Sequence, residues 1–387
     1  MIFDFGGVDD EIGHVAFSNV VLSLFILDFI FVYVFEKNLF HRINHIRVDF
    51  TNMIRAALRR GLGTFTKGDV VVIRAMNRGD RLWLSEPLRE GSTININQGH
   101  IAHDDLFGVK SRSLVKSNLG NPYIVTHAST EDYINLSRRA ATPIYTFDAS
   151  SIVSLADIHI DFPELSEDGK LKEPPLQFFE AGTGHGSLTL AICSQIHSAN
   201  CFYKTHGVRG AILHSIDRNE GHSNVGKRTV RNFKRGMYIN DVEFHIAESP
   251  IEWFDTASEW KSLDQDTNEG FLSGAFLDLP DIPGNIEPIA THLKQDSPLI
   301  VFCPSVTQIL EVLKAIKDKQ MKLTHIRTIQ LVPGMGGGLQ DWDTRFTYIR
   351  ATGEEGIVCR PRVGSRMVGG GFVGVFKKLP VDMKSDE

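Results

Sequence analysis

Only four cysteines stand in the 387 residues, Cys193, Cys201, Cys303 and Cys359, and no two of them form a CxxC pair. A disulfide framework and a cysteine-bound zinc module therefore have no basis, and buried free thiols in a reducing compartment are expected. No GxSxG elbow, Ser/His/Asp order or linear His/Glu metal spacing occurs, so the chain encodes no recognisable hydrolase nucleophile, and no metal is expected. Internal repeats and low-complexity tracts are lacking, which excludes a solenoid. A positive net charge is lacking too: the formal value is −6. A nucleic-acid partner would have to be held by a local basic patch, because the overall field does not attract phosphate. Apolar content of 42% and charged content of 23% are ordinary for a globular protein, and the length suits about two or three domains.

Residues 15–36 are largely apolar and about long enough to span a bilayer, but Asn19 and Asp28 interrupt them. An aspartate near mid-membrane is costly, so stable membrane insertion is not favoured. Arg42, Arg47, Arg55, Arg59 and Arg60 follow against a single acid, Asp49. From Met53 the run MIRAALRRGLGTF resembles an organelle import segment, and a mitochondrial location is favoured over a nuclear one. An extension outside the fold fits the same composition. The expected organisation is an N-terminal extension over 1–60, a β-rich domain over 61–147, an α/β domain over 148–380 and a tail over 381–387.

The β-rich region carries short β-type runs at 70–74, 81–84 and 123–126, set apart by Gly, Asn, Asp and Ser, with one helix expected over 131–139. From 176 onward strands and helices alternate, which predicts a parallel sheet. The strands fall at 176–180, 211–216, 242–247, 272–278, 298–303 and 325–332. The clearest helix runs over 305–319, and a last strand covers 372–377.

The stretch FFEAGTGHGSLT, residues 178–189, reads as strand, glycine turn and helix. Gly182, Gly184 and Gly186 alternate at every second position, which lets the backbone bend sharply and admits a ligand close to it. The following helix start offers free N–H groups. The spacing is GxGxG, not the dinucleotide GxGxxG. Acid-x-GxGxG is similar to the loop that class I methyltransferases place beside S-adenosylmethionine. A bland turn with three glycines is the alternative.

Ligands of an open parallel sheet bind outside the carboxyl ends of its strands, so acids at those ends come first. Asp217 could accept both ribose hydroxyls of a nucleoside, or serve only as a helix N-terminal charge. Glu248 could accept from an adenine amine, or be an exposed turn acid. Asp278 ends an apolar strand before a proline-fixed turn, LPDIP, which suits a substrate-side role; a helix cap is the alternative. Lys227, Arg231, Lys234 and Arg235 fall near one helical face, and Arg360, Arg362 and Arg366 lie in a glycine-rich loop. Either group could meet RNA phosphate or form a solvated face.

Several segments then match one family in order. EAGTGHGSLT resembles the EAGTGSGS(L/M)T loop of the tRNA adenine-58 N1-methyltransferases, the Trm61/TrmI family. FLDLP at 276–280 resembles its FLDLPxPW motif, and FCPSVTQILEVL at 302–313 its FSPCxxQV segment. HDDLFG at 103–108 and YTFDASSIV at 145–153 resemble two upstream motifs, and GGGFVGVFKK the last strand. The similarity spans about residues 66–380. It implies a class I S-adenosylmethionine-dependent methyltransferase sheet, Rossmann-like α/β, preceded by a small N-terminal β-domain. The implied reaction is methyl transfer from S-adenosyl-L-methionine to adenine N1 in the T-loop of tRNA. By the resemblance Asp278 is catalytic. Glu180, Gly182, Thr183, Gly184, Gly186, Ser187, Asp217 and Glu248 hold the cofactor, with Asp148 and Ser151 at its methionine end. Lys227, Arg231, Arg360 and Arg362 are assigned to tRNA. Family members are tetramers, either homotetramers or heterotetramers with a non-catalytic Trm6-like subunit.

The chain departs from the family where DLPDIPGN lacks the tryptophan after DLPxP and where Glu248 replaces an aspartate. It also reads Asn97-Gln98-Gly99 for TRYG and Arg138-Arg139-Ala140-Ala141-Thr142 for HRTQ. Other readings stay open: a silent RNA-binding subunit, a nicotinamide oxidoreductase, or a methyltransferase for another RNA or a protein carboxylate.

Overall fold

The computed structural model describes residues 63–76, 81–256, 270–334, 337–362 and 369–380. The apolar run, the arginine-rich segment, the C-terminal tail and Arg366 lie outside them. The compact unit begins at Thr64. Among the described residues no helix is long and apolar enough to cross a membrane.

The first six strands build the β-rich region: β1 (Val71–Ala75), β2 (Leu82–Leu84), β3 (Thr93–Ile96), β4 (Gly99–Ala102), β5 (Ser113–Lys116) and β6 (Pro122–His127). They pair antiparallel as β2-β1-β6-β5, with β3-β4 as a separate ribbon. Phe65, Ile73, Leu88, Ile101 and Leu106 fill the core between them. Helix α1 (Thr130–Leu136) starts on a Ser129 cap that accepts from the Asp132 N–H. It stops before the expected end because Ser137 is already extended, which leaves Arg138 and Arg139 outside it. Helix α2 (Thr146–Leu155) follows and contains most of the YTFDASSIV segment.

The second layer is a seven-stranded sheet, ordered β12-β15-β11-β10-β7-β8-β9. Its strands are β7 (Leu176–Ala181), β8 (Ala211–Asp217), β9 (Val242–Ile246), β10 (Leu272–Leu277), β11 (Pro298–Cys303), β12 (Leu323–Leu331) and β15 (Gly371–Lys378). Helices α3 (Ser187–Ile196), α4 (Glu220–Asn232), α5 (Pro250–Thr256), α6 (Ile282–His292) and α7 (Val306–Asp318) connect or follow them. The pairs among β7 to β11 are parallel, as the alternation predicts. The last strand differs: β15 inserts antiparallel between β11 and β12. A parallel neighbour needs a crossover along the sheet face. The chain leaving β12 instead forms a two-stranded hairpin, β13 (Trp342–Tyr348) with β14 (Glu355–Pro361), and β15 re-enters in the opposite direction. Sequence reading gave this hairpin no strands. Its apolar positions Trp342, Phe346, Tyr348 and Ile357 are exposed, so no buried face supplies a core pattern. Arg360 accordingly sits on a strand and not in a glycine-rich loop.

Both faces of the sheet are buried. Phe178, Leu213 and Phe276 of the sheet share a core with Ile152 of α2, Leu188 of α3 and Val230 of α4 on one face. Phe179 and Ile216 of the sheet share a core with Trp253 of α5, Ile286 of α6 and Val312 of α7 on the other. The β-rich region is tied to this body by the Tyr133 hydroxyl, which donates to the Thr229 carbonyl at 2.8 Å, and by Arg235, 3.2 Å from Asp69.

Candidate active site

The carboxyl ends of β7, β8, β9 and β10 open onto a cleft of about 370 Å³. Its floor is the glycine turn between β7 and α3. Gly182 has φ +100°, and a Cβ there would lie 2.1 Å from the Asp278 carbonyl oxygen. The turn can close against β10 only with glycine at that point. A Cβ on Gly186 would meet the Gly226 backbone at 2.9 Å, so α3 and α4 also touch through glycines. A Cβ on Gly184 would meet nothing within 4 Å: that residue faces the open cleft. Gly186 caps α3 without a side-chain bond. The first N–H groups of α3 are thus directed at the cleft as a ready set of donors. Ser187 and Leu188 line it at this point.

Asp217 forms the second wall. Its Oδ2 accepts from the Gly184 N–H at 2.9 Å and its Oδ1 from the Asn219 N–H at 2.8 Å. These bonds hold the carboxylate rigid and use one lone pair on each oxygen, which leaves capacity for two ligand hydroxyls. Thr183, 3% exposed, bonds the Ser215 hydroxyl at 2.6 Å and locks the turn to β8. Glu248 lies two residues beyond β9 and is exposed at the rim, where its N–H donates to Glu252 Oε2.

Asp278 is on the opposite wall. Its N–H donates to the Ala181 carbonyl at 2.9 Å, which fixes the residue directly beside the glycine turn. Among the described residues its carboxylate has no hydrogen-bond partner. Burial, and then the charge of Asp217, push its pKa up to about 6. A half-buried acid with idle acceptor atoms, ionised above that pH, is poised to receive donors from a ligand.

Four of the expected cofactor residues do not line the cleft, and one of them, Gly186, is packed against the Gly226 backbone at the start of α3. Glu180 does not line the cleft: it is fully buried beneath the turn. Its Oε2 accepts from Thr189 Oγ1 at 2.7 Å and Ser215 Oγ at 2.6 Å, and among the described residues its Oε1 has no partner. Burial raises its pKa to about 8, so it is a neutral acid at pH 7. Asp148 is buried within α2. Its two oxygens accept from the Gly337 N–H at 2.6 Å and the Gly370 N–H at 3.0 Å. It splices α2 to the segments flanking the hairpin and, only 1% exposed, is closed off from a ligand in the cleft. Ser151 turns its hydroxyl back onto the Phe147 carbonyl of its own helix. Neither lines the cleft.

His185, which sequence reading passed over, is 2% exposed and belongs to the cleft lining. Its Nε2 bonds Ser137 Oγ at 3.0 Å, and among the described residues its Nδ1 has no partner. Burial, Arg139 and Arg228 depress its pKa to about 4, which keeps the ring neutral. The available signal was histidine in place of the serine in the family's GTGSG.

Of the basic residues, Lys227 and Arg231 are exposed on α4. Arg360 and Arg362 are offset by acids of the hairpin, Asp343 at 3.6 Å and Asp341 at 3.1 Å. This weakens the expected RNA role of that second group. Arg235 is likewise engaged, with Asp69 and Thr66.

The strand order and the cleft are those of a class I S-adenosylmethionine-dependent methyltransferase fold. Two solved structures share it. An S-adenosylmethionine-dependent O-methyltransferase from Thermotoga maritima matches with TM-score 0.55 and 14% identity, over 83% of this chain and 97% of that one. The tRNA (m1A58) methyltransferase TrmI from Aquifex aeolicus matches with TM-score 0.50 and 16% identity, over 82% of this chain and 100% of that one. No family model matches the chain. Within the class the chain is Trm61/TrmI-like. It is 26% identical over 270 residues to the tRNA (adenine(58)-N(1))-methyltransferase TrmI of Thermus thermophilus, covering 70% of this chain and 86% of that protein. The TrmI of a second strain of the same organism matches to the same extent.

Proposed function

We propose that this chain transfers a methyl group from S-adenosylmethionine to N1 of adenine 58 in the T-loop of tRNA. The reading is supported by the TrmI relatives and carried by one observation: the unengaged Asp278 carboxylate held beside the glycine turn. The residues fit the cofactor. Gly184 leaves the turn open on the cleft side, the α3 N-terminus supplies donors, and Asp217 is a pre-set acceptor for the ribose hydroxyls. Glu248, on the cleft rim, is assigned to the adenine amine. Bound there, the cofactor supplies an electrophilic methyl group.

The chain's part is positional and electrostatic. Adenine N1 attacks with its own lone pair, so no covalent enzyme intermediate is required. Positive charge then develops on the base. Asp278, ionised, accepts from the adenine N6 amine and grows more favourable as that charge appears, which lowers the barrier selectively. The base leaves its stack to reach the cleft. Lys227 and Arg231 on α4 are assigned to tRNA phosphate. Neutral Glu180 adds no charge beneath the turn.

The assembly is proposed to be a tetramer, through the exposed apolar face of the β13–β14 hairpin, with copies of this chain or a non-catalytic Trm6-like relative. Light scattering of the purified chain tests the homotetramer. A mitochondrial location, proposed from the arginine-rich segment, is tested by mapping 1-methyladenosine in organellar and cytosolic tRNA after deletion of the gene.

The deciding assay uses labelled cofactor with tRNA carrying adenine or guanine at position 58. Incorporation is expected only with adenine. Asp278→Ala should keep cofactor affinity and lose turnover, and Asp217→Ala should weaken cofactor binding several-fold. Equal labelling of both tRNAs would reject the target. Full turnover by Asp278→Ala would reject the role given to that residue.

A further inference from the structure

On the sheet face opposite Glu180, β8 and β9 bring together three residues with no linear spacing between them. His214 lies across from Glu243 in the parallel register, and His245 lies across from Ile216, so all three side chains share one face. His214 Nδ1 is 3.2 Å from His245 Nε2 and 3.8 Å from Glu243 Oε2. Donor atoms around a tetrahedral ion with bonds of about 2.0–2.1 Å sit roughly 3.3 Å apart. The two imidazole nitrogens already stand at that spacing, and all three ligand atoms lie within 4.8 Å of one another.

The surroundings prepare His214 as a ligand. Gln177, 2% exposed, donates its amide nitrogen to the Pro175 carbonyl at 3.0 Å. That fixes its Oε1 towards His214 Nε2, at 2.7 Å. His214 Nε2 must then carry the proton, and Nδ1 presents a lone pair to His245 and Glu243. A ring N–H held by a carbonyl oxygen behind the ligating nitrogen is the usual outer support of a metal-bound histidine. Arg209 Nη2 holds Glu243 Oε1 at 2.5 Å, which turns Oε2 towards the imidazoles. The Trp253 ring packs 5.4 Å from His214 and 5.6 Å from His245 and covers the group with apolar surface. Glu243 and His245 are half-buried, so an ion has a way in.

We propose that His214, Glu243 and His245 bind one divalent transition-metal ion of the zinc class, with a water completing the coordination. Two imidazoles and a carboxylate suit such an ion better than calcium or magnesium, which prefer all-oxygen sites. The ion would pin the edge strand β9 to β8. The proposal is independent of methyl transfer.

The test is equilibrium dialysis of the chelator-stripped full chain against zinc, with cobalt(II) as a spectroscopic probe. One tight equivalent per chain is expected, with the intense visible absorption of four-coordinate cobalt. His245→Ala and Glu243→Gln, both at half-buried positions and checked for unchanged far-UV dichroism, should abolish it. Gln177→Leu should weaken it roughly 10–100-fold. Equal uptake and the same cobalt spectrum in His245→Ala would place the metal elsewhere, for instance on cysteines, and overturn the proposal. So would the lack of any stoichiometric uptake by the unaltered chain.

Discussion

Glu180→Gln isolates the buried acid under the glycine turn. In the folded chain Glu180 keeps its proton up to about pH 8; unfolded, it releases it near its ordinary 4.5. Between those limits the folded state binds the extra proton, so stability falls as pH rises. Below 4.5 both states are protonated and the cost vanishes; above 8 it is constant. One full proton is worth about 1.4 kcal/mol per pH unit, and with the ionisation incomplete at both ends the wild type should lose about 2.5 kcal/mol from this group between pH 5 and 7. Glutamine keeps an acceptor for Thr189 and Ser215 and cannot ionise. His185 has the opposite sign: its depressed pKa makes stability grow as pH rises from about 4 to 6.5. That contribution is common to both proteins and cancels in their difference. Urea unfolding, followed by fluorescence at pH 5, 6 and 7, should show the stability of Glu180→Gln minus wild type rising by about that amount, whatever the constant offset. Parallel pH curves would mean that Glu180 is ionised in the folded chain and would refute its description as a neutral acid.

The turn itself can be probed with Gly182→Ala, which meets the Asp278 carbonyl at 2.1 Å and a φ of +100°. A loss on the order of 2–4 kcal/mol in unfolding free energy is expected, together with weaker cofactor binding by calorimetry. Turnover should rise with pH through about 6 as Asp278 ionises, and Asp278→Asn should give a flat profile at a rate roughly 10²–10³ lower. Asp217→Asn should move that midpoint down, since the Asp217 charge helps to hold it up. Lys227→Glu and Arg231→Glu should each lower RNA affinity and reduce the slope of log affinity against log salt by about one. Arg360→Glu should change both little, because Asp343 already offsets that charge.

The glycine turn, the parallel alternation and the acids at the strand ends could be read along the chain, because each is written in neighbouring residues. Gly182, Asp217 and Asp278 were found that way, and all three border one cleft. The residues misplaced by the same reading fail for a shared reason. An acid's neighbours in sequence do not reveal what takes up its lone pairs. Glu180 gives its Oε2 to Thr189 and Ser215, and Asp148 gives both oxygens to Gly337 and Gly370, 189 and 222 residues away.

Local pattern alone thus determined that strands, a tight turn and a helix start would succeed one another around residue 180. It also determined that acids would follow the strands, since backbone conformation and alternation are properties of short segments. Strand order, the antiparallel insertion of β15 and the meeting of His214 with Glu243 and His245 were decided only in three dimensions. Register across a sheet joins residues that no local interaction connects, and burial then sets which of them stay charged.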